Sequence, residues 1–172
     1  MCIRDRLNVG VPEELNRYFP HNQKITIKLE LDTTPPPLAS TEVKTHLLPT
    51  PFQVRLYDLP SLFAGKLHAM LFRDWKSRVK GRDFYDFVWY ISRRVPVNLP
   101  HLEARIIQSE KQQTDRFNID AVQTLLKDRI RSVDIAAAAE DVRPFLRDPR
   151  ELQLWNEEFF MQLIPQLQAA GS

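Results

Sequence analysis

The sequence predicts an α+β fold in which a small mixed sheet packs against helices and a helical lobe follows. Three observations carry that reading. Between Lys24 and Asp32, apolar Ile25, Ile27, Leu29 and Leu31 alternate with polar residues, the period-two pattern of a half-buried strand. At Asp58 the pattern changes to helical spacing, with Leu59, Leu62, Phe63, Leu67, Met70 and Leu71 on one face. Beyond Pro100 only helical spacing remains.

The elements follow in order. The run Pro35-Pro36-Pro37 ends the first strand, because proline cannot donate to a ladder. Further strands are expected near Thr41 to Leu48 and Phe52 to Tyr57, each bounded by proline, with the strands at Lys24–Asp32 and Phe52–Tyr57 building the sheet. Asp58 then caps a helix over Leu59–Phe72, with Pro60 in its first turn. A second helix, Arg82–Ser92, buries Phe84, Phe87, Val88 and Ile91. The segment Val95 to Pro100 marks an internal boundary, dividing the chain into 7–98 and 99–172. One helix starts near Pro100, with Leu102, Ile106 and Ile107 apolar, and another follows Asn118. Asp134 caps a helix over Ile135–Leu146, where Ala136 to Ala139 favour helix. A last helix runs from Pro149 to Leu167 with Leu152, Leu154, Trp155, Phe159, Phe160 and Leu163 in its stripe, kinked or ended at Pro165. This half of the chain reads as architecture without chemistry of its own.

Composition narrows the function classes. With 172 residues, 43% of them hydrophobic and 27% charged, the chain can bury a core and is not of disordered composition. No apolar run is long enough to cross a bilayer, and no signal peptide is evident, so cytoplasmic residence is the default expectation. A net charge of +2 is small, so any polyanion must be met by local clustering. Cys2 is the one cysteine, and His21, His46, His68 and His101 lack metal-ligand spacing.

Clustering of charge is found between Leu59 and Phe87. Lys66 interrupts an apolar helix, and a buried ammonium is costly unless it meets an anion. Arg73, Lys76, Arg78, Lys80 and Arg82 crowd the connection that follows. Asp83 and Asp86 then share one side of the next helix. A lysine, several arginines and paired carboxylates fit a nucleoside triphosphate with its magnesium. A purely architectural reading stands beside this one: Asp83 caps its helix, the basic run is a solvated turn, and Lys66 reaches the surface along its aliphatic stem. Tyr85 and Tyr90 are either base-stacking rings or core-edge residues.

The ordered motifs L-F-A-G-K-L-H-A at Leu62–Ala69 and W-K-x-R-V-K-G-R-D-F-Y-D-F-V-W-Y at Trp75–Tyr90 resemble the AbiEii/AbiGii toxin family of nucleotidyltransferases. The resemblance extends back through I-K-L-E-L-D-T-T-P-P at Ile27–Pro36 and covers roughly Leu7 to Arg94. It implies a toxin of a toxin–antitoxin or abortive-infection (phage-defence) system that transfers a nucleotide from an NTP to an RNA acceptor such as tRNA, with Mg2+ and an antitoxin encoded nearby. It also implies the later part of a nucleotidyltransferase-like domain over 7–98. Within that domain Glu30 maps to the strand carboxylate that serves as metal ligand or base, with Asp32 as alternate. Lys66 maps to the triphosphate-holding lysine. Asp83 maps to the Arg-Asp motif that orients a cation or contacts the nucleotide, with Asp86 as alternate. Lys80 and Arg82 are candidates for phosphate or RNA backbone. Glu30, Lys66 and Asp83 are therefore expected to converge on one cleft.

The family's first motif, a Gly-Ser followed by paired aspartates, is expected before Leu7 and finds no match. Met1-Cys2-Ile3-Arg4-Asp5-Arg6 resembles a translated sequencing adapter, so 1–6 are expected to be disordered or unpacked, and the chain to be a fragment inactive alone. The competing reading from another class is a non-catalytic RNA- or partner-binding module, in which the basic turn binds and the carboxylates only cap and pair.

Overall fold

The computed structural model describes residues 2–10, 24–74, 79–111 and 117–171. The chain divides into two compact units, Met1–Pro35 and Pro36–Ser172.

In the first unit, β1 (Cys2–Gly10) pairs antiparallel with β2 (Lys24–Asp32), in a register running from Cys2↔Asp32 to Gly10↔Lys24. Alternation along β2 is as the sequence predicts, and Ile3, Leu7 and Val9 stand opposite Leu31, Ile27 and Ile25. The expected burial is absent: Ile25, Ile27, Leu29 and Leu31 are between 44% and 60% exposed. A two-stranded ribbon supplies no second layer within this unit to cover its apolar face. Residues 2–6, within the stretch expected to be disordered or unpacked, lie in β1, paired through the backbone. Their described side chains are exposed, so ladder hydrogen bonds and not packing hold them.

In the second unit, β3 (Thr41–His46) pairs antiparallel with β4 (Phe52–Tyr57). The described strands therefore make two two-stranded antiparallel sheets, where the sequence suggested one mixed sheet. The helices are α1 (Leu59–Phe72), α2 (Gly81–Ser92), α3 (Leu99–Glu110), α4 (Ile119–Ser132), α5 (Ile135–Val142) and α6 (Glu157–Leu163). Asp58, Asn98, Asn118, Asp134 and Asn156 each accept a backbone N–H three residues on, satisfying an otherwise orphaned donor at five helix starts.

The C-terminal helices are shorter than predicted. The Ile135 helix ends at Val142 and passes into a 3-10 turn at Arg143–Phe145, since Pro144 lacks the N–H a further α-turn needs. The last helix is broken into a 3-10 stretch, Pro149–Leu154, then α6, then a 3-10 turn at Ile164–Gln166. Asn156 is the cause: as an N-cap it starts a new helix inside the predicted one, and Leu154 is left exposed.

One apolar core joins Phe63, Leu67 and Met70 of α1, Phe84 and Phe87 of α2, Leu102 of α3, Val122 and Leu126 of α4, and Phe160 of α6. Each such side chain contributes about 1.5–3 kcal/mol by leaving water. This core crosses the Val95–Pro100 segment, so the expected boundary at 98/99 does not divide it. The amphipathic faces of α3 and α4 pack on α1, and α6 packs on α4 and, through Phe160, on Phe84 and Phe87 of α2. Tyr90 is buried and stacks on Phe63 with ring centroids 4.5 Å apart, which places this base-stacking candidate in the core.

Candidate active site

The site is built where the C-terminal end of α1, the start of α2 and the end of α5 meet. Arg129 of α4 fixes the end of α1: its Nε donates to the Met70 carbonyl at 3.0 Å and its Nη2 to the Arg73 carbonyl at 2.8 Å. Carbonyls of a last helical turn lack intrahelical donors, so a guanidinium there satisfies both hydrogen bonding and the helix dipole. Burial holds the Arg129 pKa below its ordinary value.

α2 starts under a tight constraint. The Gly81 N–H donates to Asp141 Oδ2 of α5 at 2.9 Å, and a Cβ at Gly81 would overlap the Ala138 carbonyl oxygen. Gly81 against the alanine-rich face of α5 therefore lets two helix backbones approach where any other residue would force them apart. The N-cap of α2 is Lys80, so Asp83 is not a capping residue.

Asp83 is instead an ion-pair partner. It is only 5% exposed, and Arg73 Nη1 donates to its Oδ2 at 2.8 Å. Burial pushes the Asp83 carboxyl above the ordinary carboxylate range, with Arg73 and then Lys66 pulling the other way. Lys66 Nζ lies 2.7 Å from Asp86 Oδ2, and its side chain is 47% exposed. The ammonium is thus not buried; it projects from the exposed side of α1 and meets Asp86. Lys66 is thus held by Asp86 and Arg73 by Asp83.

These groups open onto a cavity of about 630 Å3. Lys66, Arg73, Lys80, Arg82 and Arg147 line it with Asp83, Asp86 and Glu151, so positive charge is in excess. Tyr85, Val142, Phe145 and Leu146 complete the lining, and the Arg82 guanidinium lies 5.1 Å from the Phe145 ring centroid. The sequence placed no chemistry in the C-terminal half, yet Phe145, Arg147 and Glu151 come from it. Gly81 and Asp141 were also missed. One signal was legible: a glycine directly before Arg82-Asp83, with a run of four alanines elsewhere, marks a possible close helix contact.

Lys66, Lys80, Arg82, Asp83 and Asp86 are therefore brought together. Lys76 and Arg78 lie outside the described residues. Glu30 and Asp32 belong to the Met1–Pro35 unit. There Lys28 Nζ stands 2.7 Å and Arg4 Nε 3.2 Å from Glu30 Oε1, and the hydrogen bond and charge of Lys28 hold the exposed carboxyl below its ordinary value. Asp32 Oδ1 accepts the Thr34 N–H at 3.0 Å and closes a turn. His68 lies on α1, its Nε2 2.8 Å from Ser109 Oγ, and burial lowers its pKa. Among the described residues no three or more His, Cys, Asp or Glu side chains gather into a set that could hold a metal ion. With Asp83, Asp86 and Glu30 each committed to cations, these residues do not by themselves fit magnesium.

Residues 5–163 match the family described as nucleotidyl transferase AbiEii toxin of a type IV TA system. The chain belongs to the AbiEii toxin family. The match extends well past the motif-bearing stretch and takes in the C-terminal helices that complete the cavity. No curated protein and no solved structure matches the chain. Membership of this family implies a nucleotide substrate and an antitoxin partner. Among the described residues no helix is long and apolar enough to cross a membrane.

Proposed function

We propose that the cavity between α1, α2 and α5 holds the triphosphate of an NTP for nucleotidyl transfer to an RNA acceptor, with tRNA as the acceptor class. The protein would act in the cytoplasm as the toxin of a phage-defence system. The observation that carries this reading is the arrangement of Lys66–Asp86 and Arg73–Asp83 as two ion pairs on one cation-rich cavity. Phosphoryl-group chemistry asks a protein mainly for positioning and for compensation of charge. Lys66, a compact cation on a flexible stem, suits phosphate oxygens; Arg73, planar and always charged, suits bidentate contact. Asp86 and Asp83 keep both cations extended toward the cavity, and an arriving triphosphate competes for charges already in place.

The family resemblance keeps Glu30 as candidate base toward the acceptor hydroxyl, with Asp32 as alternate, and Lys80 and Arg82 are assigned to phosphate or RNA backbone. Magnesium is part of the family expectation, but the described carboxylates do not assemble a site for it.

The test supplies radioactive NTP and tRNA to the toxin: labelled tRNA should form, and Lys66→Ala should abolish both labelling and toxicity on expression. Toxicity that survives Lys66→Ala but is lost on charge reversal at Lys80 and Arg82, in folded protein, would replace transfer with a binding role.

A further inference from the structure

Polarity varies along the cavity wall. The cations Lys66, Arg73, Lys80 and Arg82 stand on α1, α2 and their connection, whereas the end of α5 and the 3-10 turn after it contribute the apolar Val142, Phe145 and Leu146, with Arg147 directly following. Val142 is buried in a small satellite core with Ala139 and Leu152, against which Tyr85 and Leu146 pack. Phe145 does not join that core and is 62% exposed. The Arg82 guanidinium lies over its ring at 5.1 Å, a cation–π distance, which keeps the ring at the cavity edge. An exposed aromatic face beside a cationic wall matches a ligand with a flat aromatic part joined to a polyanionic part. A volume of about 630 Å3 is within the range of small-molecule sites.

We propose that the Val142–Leu146 wall is the nucleoside subsite of this cavity, with Phe145 stacking the base of the bound nucleotide. This rests on the reading that the cavity holds a nucleoside triphosphate, and adds which part of the chain holds which part of that ligand. Arg82 links the two halves: its guanidinium touches the ring plane on one side and belongs to the phosphate wall on the other. Stacking on phenylalanine is tolerant of base identity, because every base has a π-face. The subsite therefore supplies affinity for a nucleoside more than choice among nucleosides.

The experiment compares ATP, CTP and inorganic tripolyphosphate as competing ligands of the 172-residue chain by equilibrium dialysis, with total tRNA as a further ligand. Wild type should bind both nucleotides roughly tenfold more tightly than tripolyphosphate, the scale of one base–aromatic stack. Phe145→Ala should erase that difference while leaving tripolyphosphate affinity unchanged, and Phe145→Trp should restore it. The side chain is largely exposed, so the melting temperature of each variant should stay near wild type and separates folding from binding. Wild type binding nucleotides no better than tripolyphosphate would overturn the subsite and leave the triphosphate reading standing. Equal losses for all three ligands in Phe145→Ala would make Phe145 a support of the cavity and overturn it too. A loss confined to tRNA would assign the ring to the acceptor instead. Binding of none of the three small ligands would end both readings.

Discussion

Glu30 and Asp83 are both carboxylates paired with basic side chains, and they behave oppositely. In the Met1–Pro35 unit every described side chain is exposed, Glu30 is bridged by Lys28 and Arg4 in water, and its carboxyl titrates below the ordinary range. In the Pro36–Ser172 unit Asp83 is buried beneath Arg73, and its carboxyl titrates above that range. The pairing chemistry is similar; the surroundings differ. Exposed pairs are screened and contribute little to stability, whereas the buried Asp83 carboxylate has no water to fall back on and is held to Arg73. The second unit is therefore where geometry can be held to the tolerance that positioning a phosphate requires.

Substitutions sharpen this contrast, starting with the largest effect. Gly81→Ala puts a methyl into the Ala138 carbonyl oxygen and should separate α2 from α5. A loss of about 3 kcal/mol in urea denaturation is expected, because the clash is with backbone and cannot be relieved by a rotamer change. A near-neutral Gly81→Ala would mean that α2 and α5 can separate at Gly81 without loss.

Asp83→Asn should have a smaller effect, visible in its pH dependence. Because burial raises the Asp83 pKa, the folded protein keeps this proton to a higher pH than the unfolded chain does. The group's contribution to stability is then greatest at low pH and falls as pH rises from the ordinary carboxylate range through the raised value. Asp83→Asn should remove that downward slope, measured as melting temperature against pH relative to wild type. An upward slope lost instead would show that the Arg73 pairing outweighs burial.

The smallest effect belongs to the first unit. Glu30→Gln should leave the melting temperature unchanged at neutral pH, since the carboxylate and both its partners are exposed. A clear drop would place Glu30 in a more demanding environment than β2 provides within its own unit.

How much of this was legible in the sequence follows from the range of each determinant. The bounds of α1 were readable because they depend on neighbours: Asp58 caps, Pro60 suits the first turn, and the apolar face continues to Phe72. The break before α6 was not, because an apolar stripe runs through Asn156 and hides its capping role. At the site, the motif identified Lys66, Asp83 and Asp86 but not who pairs with whom. That depends on how α1 and α2 cross, which spacing within either helix does not encode. Asp141 and Phe145 lay further out of reach: they meet α2 across about sixty residues of chain, and only the packing of α5 brings them there. Burial along β2 was misread because alternation specifies two faces without specifying what covers either.

The central claim is that the second unit's cavity, and not the exposed carboxylate of the first, grips the triphosphate. Calorimetric titration of ATP into wild type, Lys66→Ala and Glu30→Gln, with divalent metal chelated, tests it most directly. A charged hydrogen bond is worth about 1.5–3 kcal/mol, so Lys66→Ala should weaken binding by roughly tenfold or more at an unchanged melting temperature, while Glu30→Gln binds as wild type does. Undiminished binding by Lys66→Ala, or a loss confined to Glu30→Gln, would contradict it.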